Sequence, residues 1–355
     1  MNILHISPNY NYVCGRSKYV YSLLKCSVDN GIKVTVATNG GDALERINNL
    51  GVGILKLPLN NYSKIIYSIR LIKTFIEENN IDIVHTHHRY AEVLSNILRN
   101  QLKHKKCIKT ITTVHSILKG NYHIEFKSNK IIAVSNIVRD MLVNKFKVSP
   151  QKIELINNFI LDEEILSTRI ERNKEIKKID NIELLSVGRF HSDKNFELLF
   201  KAINTVNNKN IHLNLIGSGN LLKSYCKIID KYNLNITIIT TQKNLIDYYN
   251  IADICILPSI IDPFPTFMLE AGYYQKAFIG SNIAGINELI IDGYNGLLFK
   301  TGDVHNLSDK IREFINSPKL MNNCADNLYL DVKNKFTHRK IFPKIHNLYS
   351  NILEK

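Results

Sequence analysis

Six cysteines are spread through 355 residues without a single C-x-x-C pair. Cys14, Cys26, Cys107, Cys226, Cys255 and Cys324 stand apart, which argues against a zinc site or a disulfide framework and fits a reducing cytosol. Long apolar runs are also missing. Stretches such as LLSVG and ICILP fall far short of the roughly 20 residues a membrane-spanning helix needs. No basic region precedes the first apolar run, MNILHISPNY, and no small-residue cleavage site follows it. That run therefore reads as a first β-strand, not a signal peptide. Neither G-x-G-x-x-G nor G-x-x-x-x-G-K-[ST] occurs, so the two commonest phosphate-loop signatures are excluded.

Acidic residues are outnumbered, 32 against 46 Lys and Arg, giving a formal charge of +14. Such a balance attracts polyanions: nucleic acid, an acidic membrane surface or phosphate-bearing substrates. It also follows simply from a composition heavy in Ile, Asn and Lys. The densest basic patch is Arg99, Lys103, Lys105, Lys106 and Lys109. It carries no interleaved aromatic residue, which counts against single-stranded nucleic acid and favours a membrane-facing edge. No nucleic-acid partner is expected.

With 45% hydrophobic and 22% charged residues, the chain has the make-up of a globular protein long enough for two domains. Short β-branched runs alternate with helical patterns throughout, which implies parallel sheets covered by helices. NILHIS, KVTVAT, GILKLPL, DIVHTH, TITTVH, KIIAVS and KIELIN are strand candidates in the first half. IELLSVGRF, IHLNLIGSG, ITIIT, DICILPS, AFIGSN and GLLFK restart the pattern in the second. The charged stretch from Asp162 to Asn181 reads as a linker. The expected fold class is α/β, with two doubly wound Rossmann-like domains facing a cleft. Ligands of such sheets lie beyond the carboxyl ends of the strands.

Four strand–helix turns follow from that rule. In SPNYNYVCGRSKYVYSLL, a helix is expected to open near Ser17. Gly15 permits close backbone approach there, and Arg16 adds a positive charge beside a helix start. In LLSVGRFHSDKNFELLFKAI, a strand ends at Gly188, followed by Arg189 and, before the next helix, Lys194. Two cations at a helix N-terminus make a diphosphate clamp; the bland reading is a solvated loop capped by Ser192 or Asp193. LNLIGSGN places Gly217 and Gly219 after a strand, a common pattern of low specificity. The fourth turn, LPSIIDPFPTFMLEAG, sets Asp262 before a helix and Glu270 about one turn inside it. Phe264, Thr266 and Phe267 carry amide N–H groups at that helix start. A buried carboxylate needs a partner. Vicinal sugar hydroxyls are one, with charge-assisted bonds of roughly 1.5–3 kcal/mol each; an N-cap and a helix-face residue are the plain alternative.

Together the turns resemble the family 4 retaining glycosyltransferases of the GT-B fold. PSIIDPFPTFMLEAG resembles the family's P-S-x-x-E-x-F-x-x-x-x-x-E-A signature. SVGRFHSDKNFELLFKA resembles its V-G-R…K block, GINELIIDGYNGLLF its G-G-x-x-E-x-x-x-x-G-x-x-G-x-L block, and IIAVSNIVRDML with IELINN the end of its N-terminal domain. FTHRKIFPKIHNLYSNILEK resembles the C-terminal helix that crosses back to that domain. The resemblance implies domains at 1–165 (acceptor side), 166–335 (nucleotide sugar) and 336–355 (returning helix).

By that resemblance Glu270 holds the donor ribose, and Asp262 contacts the transferred sugar with the amides of Phe264 and Thr266. Arg189 and Lys194 hold the diphosphate near Gly15 and Arg16, with Gly188, Gly217 and Phe267 lining the donor site. His115 in TITTVHS occupies the place of a histidine facing the reacting sugar; the residues alone do not separate it from His85, His87 or His88. Base contacts are expected near Ile239–Asn244. Asp262 replaces the family's usual Glu, Arg16 one of two adjacent glycines, Gln275–Ala277 a G-x-P, and Ala284–Gly285 a Gly–Gly. No D-x-D motif is present, so neither metal nor cofactor is expected beyond the donor, UDP-linked by family habit. The implied function is transfer of a hexose or N-acetylhexosamine, with retention, to a glycan or lipid-linked acceptor. Capsule or lipopolysaccharide synthesis at the inner face of the cytoplasmic membrane is the implied setting. A non-catalytic nucleotide-sugar-binding relative or partner subunit, and a GT-B nucleotide-sugar epimerase, remain alternatives.

Overall fold

The computed structural model describes residues 1–12, 14–59, 61–104, 107–118, 125–162, 181–240 and 244–354. It divides into two compact units, one formed by Met1–Asn158 with His338–Lys355, the other by Phe159–Thr337. The sequence boundary at 165 and most of the expected linker lie outside the described residues. The chain's two passages at the unit border are tied within the second unit, where the Ile160 amide donates to the Phe336 carbonyl at 3.0 Å.

In the first unit the strands are β1 (Asn2–Ile6), β2 (Lys33–Thr38), β3 (Gly53–Lys56), β4 (Ile83–Thr86), β5 (Lys109–Val114), β6 (Lys130–Ala133) and β7 (Ile153–Leu155). They form one sheet in the order β3-β2-β1-β4-β5-β6-β7, and every pair is parallel. In the second they are β8 (Ile182–Val187), β9 (Ile211–Ile216), β10 (Ile236–Ile239), β11 (Ile254–Leu257), β12 (Ala277–Ser281) and β13 (Leu297–Phe299). Their order is β10-β9-β8-β11-β12-β13, again parallel. The expected α/β architecture of two doubly wound units is therefore what the chain adopts, and each strand candidate of the sequence is one of these strands.

Central strands covered by helices on both faces need apolar side chains on both faces. All four residues of β11, Ile254 to Leu257, are accordingly buried. The helix Phe196–Val206 supplies one cover. Phe196, Leu199, Phe200 and Ile203 recur at three- and four-residue spacing and are buried in the second core. Each such side chain contributes about 1.5–3 kcal/mol by leaving water. The last helix, His338–Leu353, belongs to the first unit and buries Ile341, Phe342, Ile345, Leu348 and Tyr349. Its Tyr349 hydroxyl lies 2.7 Å from His85 Nδ1 in β4.

Strand order reverses between β1 and β4 in one sheet and between β8 and β11 in the other. The turns leaving these four strands are thus the switch points where doubly wound sheets bind ligands. Three of the four turns singled out in the sequence are among them.

Two local expectations change. The first helix opens at Gly15, not Ser17, with Cys14 as its N-cap. Ser17 is buried instead, and its hydroxyl accepts from the Asn11 amide at 3.0 Å, folding the turn on itself. Neither Ser192 nor Asp193 caps the helix at Phe196: Asn195 is the N-cap, in a left-handed conformation, φ 50°, without a side-chain cap. Asp193 is occupied elsewhere, by His191 at 2.8 Å and Arg189 at 3.1 Å.

Candidate functional site

In the second unit the ends of β8 and β11 bring Lys194 and Asp262 together. The Lys194 ammonium donates to Asp262 Oδ2, and the Ser259 hydroxyl lies 3.4 Å from the same oxygen. Both charges are largely withdrawn from water, with side-chain exposures of 15% and 10%. Each is thus a partner for the other, which removes the cost of burying either alone. The Lys194 stem runs past Gly188, where a Cβ would be in ordinary contact with its Cδ and Cε at 3.5 Å. Gly285 is required beside Asp262, since a Cβ would fall 2.2 Å from the Asp262 carbonyl oxygen. Arg189 is more exposed and pairs with Asp193 on the rim of the turn.

The helix Thr266–Tyr273 starts just beyond Pro265, and Glu270 is 5% exposed inside it. Its carboxylate accepts a hydrogen bond from the Tyr249 hydroxyl. Burial, and then the Glu270 charge, push the Tyr249 hydroxyl well above its ordinary pKa, so it remains a donor. Tyr249 is itself stacked on Tyr274, ring centroids 4.5 Å apart and planes nearly parallel. The rings of Phe264 and Phe267 face inward, against Phe336 and against Tyr249 and Phe278. Only their backbone can serve a ligand at this helix start.

Gly217 has a packing reason of its own. A Cβ there would lie 1.9 Å from the Gly188 carbonyl oxygen, and at Gly219 2.4 Å from that of Phe190. These glycines let the turn after β9 press on the turn after β8. Gln275, in place of the family's glycine, takes a left-handed φ of 57° and is held by a hydrogen bond from its side chain to Asp326. Of the proposed base-contact segment, residues 241–243 lie outside the described residues.

In the first unit Gly15, Arg16 and His115 gather at the turns after β1 and β5. Gly15 is exposed, and Arg16 Nε is buried with no hydrogen-bond partner among the described residues. Burial, and then Arg16, hold the His115 imidazole down to a pKa of about 3. Arg16 also acts on Cys14, where burial alone would raise the thiol; its charge and the hydrogen bonds of Ser17 bring the net shift down.

The histidines that looked alike in sequence are now distinct. His85 is buried, its Nδ1 bonded to Tyr349 and its Nε2 to Thr113 at 2.8 Å. His88 Nδ1 caps the helix Arg89–Leu102 by accepting from the Tyr90 amide at 3.3 Å. His87 is buried and lies against His115, which is only partly covered. Ligand atoms of His5, His85 and His87 lie within 4.8 Å of one another, close enough to bind a transition metal. Both His85 nitrogens are already committed, however, to Tyr349 and Thr113, and the other two rings are bonded to each other, His5 Nδ1 to His87 Nε2 at 3.1 Å.

Of the basic patch, Arg99 is engaged by neighbouring side chains. Arg99 turns inward, to Thr110 at 3.2 Å and Asn129 at 3.1 Å. Lys105 and Lys106 lie outside the described residues.

Residues 13–164 match the family described as Glycosyltransferase Family 4, and residues 167–331 match Glycosyl transferases group 1. An uncharacterized glycosyltransferase of Methanocaldococcus jannaschii, MJ1178, is 26% identical over 99% of both chains. The capsular polysaccharide biosynthesis glycosyltransferase CapH of Staphylococcus aureus is 28% identical over 71% of this chain and 74% of its own. Anabaena Alr3699/HepE, in complex with UDP-glucose, superposes with a TM-score of 0.86 at 15% identity, covering 99% of this chain and 100% of that one.

Proposed function

Because the chain belongs to the family 4, group 1 glycosyltransferases, we propose that it transfers a hexosyl or N-acetylhexosaminyl group from a UDP-sugar, with retention and without a metal. The acceptor in this reading is a glycan or lipid-linked saccharide of a surface polysaccharide. The observation that carries it is the Lys194–Asp262 pair at the switch point of the second sheet, with Glu270 one turn inside the adjoining helix.

Without a donor, the two charges neutralise each other. A nucleotide sugar offers each a new partner: sugar hydroxyls for Asp262, the diphosphate for Lys194 and Arg189. Glu270 then takes the ribose hydroxyls. As the C1–oxygen bond to the phosphate breaks, its electron pair goes to the departing diphosphate. Lys194, Arg189 and the first amides of the helix at Thr266 stabilise that charge. The acceptor oxygen bonds to C1 on the same face, and its proton passes to the leaving phosphate. His115, beside Arg16, faces the transferred sugar.

UDP-, GDP-, ADP- and CMP-sugars should be compared in EDTA by thermal shift. A donor at a hundred times its dissociation constant stabilises by about 2.7 kcal/mol. We expect UDP-glucose or UDP-N-acetylglucosamine to do so. Stabilisation that needs added Mg²⁺ overturns metal independence, and no stabilisation by any donor returns the reading as a non-catalytic partner subunit.

Peripheral contact with an acidic membrane belongs to the same proposal. The helix Ile65–Glu78 shows Ile66 and Tyr67, 64% and 56% exposed, beside the exposed cations Lys64 and Arg70. Co-sedimentation should rise with the phosphatidylglycerol content of vesicles and drop severalfold in Ile66→Glu/Tyr67→Glu. A variant that sediments like the wild type removes this helix from the proposal.

A further inference from the structure

We infer that His5 and His87 are positioning residues that fix the tautomer of His115, leaving its Nδ1 as a standing hydrogen-bond donor and never a base. The inference starts from a chain of three rings. His5 Nδ1 lies 3.1 Å from His87 Nε2, and His87 Nδ1 lies 3.4 Å from His115 Nε2. The first ring belongs to β1; the other two follow β4, its neighbour in the sheet, and β5, the strand beyond.

All three rings are neutral. Burial depresses His5 to about 3 and His87 well below its ordinary value, as it does His115. A neutral imidazole has one N–H and one lone pair. His87, in the middle, must therefore donate on one side and accept on the other, which leaves two orientations for the whole chain. In one, protons point toward His5; His115 donates through Nε2, and His5 must carry its own proton on Nε2. In the other, protons point toward His115. His5 Nδ1–H then donates to His87 Nε2, His87 Nδ1–H donates to His115 Nε2, and His115 carries its proton on Nδ1.

The far end of the chain decides between them. His5 Nε2 is buried and has no hydrogen-bond partner among the described residues. The first orientation would strand an N–H donor there; the second strands only a lone pair. Unpaired buried N–H groups are the rarer and costlier defect. The orphan nitrogen in β1 thus sets the proton position two rings away, at His115.

His115 Nδ1 has no partner among the described residues, and the residue is not fully buried. With Nε2 engaged by His87, it presents one N–H to an oxygen acceptor, a sugar hydroxyl or a phosphate oxygen. This part rests on the reading that puts His115 at the transferred sugar; the tautomer itself does not.

The test is long-range ¹H–¹⁵N correlation on histidine-¹⁵N-labelled protein without donor, with His115 assigned by its loss in His115→Gln. We expect a pyrrole-type Nδ1 and a pyridine-type Nε2 for His115. His87→Gln, whose amide still offers an N–H, should keep that pattern, while His87→Met and His5→Met, which offer a sulfur acceptor and no N–H, should shift His115 toward Nε2–H. A pyrrole-type Nε2 in the wild-type protein overturns the proposal, and so does an unchanged His115 in both Met variants. The wild-type spectrum decides even if the variants fold poorly. Donor binding is read separately, by thermal shift, so failure of the donor reading leaves this result standing.

Discussion

Lys194→Ala should lose two properties at once: about 3 kcal/mol of stability in the free protein, and the stabilisation given by UDP-glucose. The first loss follows from Asp262, left buried without its cation. Breaking a buried pair costs about 3–5 kcal/mol, and the low end applies because both side chains keep some access to water. Asp262→Ala should cost less, since a lysine stem can carry its ammonium toward solvent. The double variant Lys194→Met/Asp262→Leu removes both charges and should recover most of the stability while remaining blind to the donor. Thermal melts with and without UDP-glucose distinguish the effects. If single and double variants melt together, a charge left alone at this site carries no penalty; if Lys194→Ala still responds to UDP-glucose, the clamp lies elsewhere.

Glu270 offers a cleaner separation of folding from binding. Glu270→Ala should abolish the UDP-glucose shift and also leave the Tyr249 hydroxyl, buried under Tyr274, with no acceptor. That orphan costs about 1–3 kcal/mol. Glu270→Gln keeps an acceptor for Tyr249 but surrenders the charge. It should therefore melt close to wild type while binding UDP-glucose about tenfold to a hundredfold more weakly, the worth of charge-assisted bonds to two hydroxyls. Isothermal titration measures that ratio directly. Equal affinity in wild type and Glu270→Gln would show that the carboxylate serves Tyr249 alone.

The contrast between these two carboxylates shows what a sequence discloses. The strands were legible because β-branched runs such as ICIL and KIIA carry their burial in their composition, and parallel order follows from the alternation with helices. The turns were legible as places where a ligand belongs. Partners were not. Lys194 and Asp262 are 68 residues apart, and nothing local announces that the lysine reaches across from β8 to β11. Tyr249 belongs to no motif; its role appears only when β11 and its helix bring Glu270 over it. Caps were misread for a similar reason. Asp193 has the chemistry of an N-cap, but His191 and Arg189 compete for its oxygens, and the backbone solved the turn with a left-handed Asn195. The histidines were visible in HTHH and TVHS, yet only the register of β1, β4 and β5 says which ring touches which.

The hydrogen bond between His85 and Tyr349 joins residues 264 positions apart. During synthesis, every strand of the first sheet leaves the ribosome long before the helix that covers His85. The second unit, Phe159–Thr337, lies wholly between them. The earlier-made half is therefore the later one to be finished: its sheet must wait, with one face incompletely covered, while a whole second domain emerges and folds. Closing so large a loop costs little more entropy than closing one half its length. The burden is instead one of exposure time, the interval during which an unfinished apolar surface is open to wrong partners.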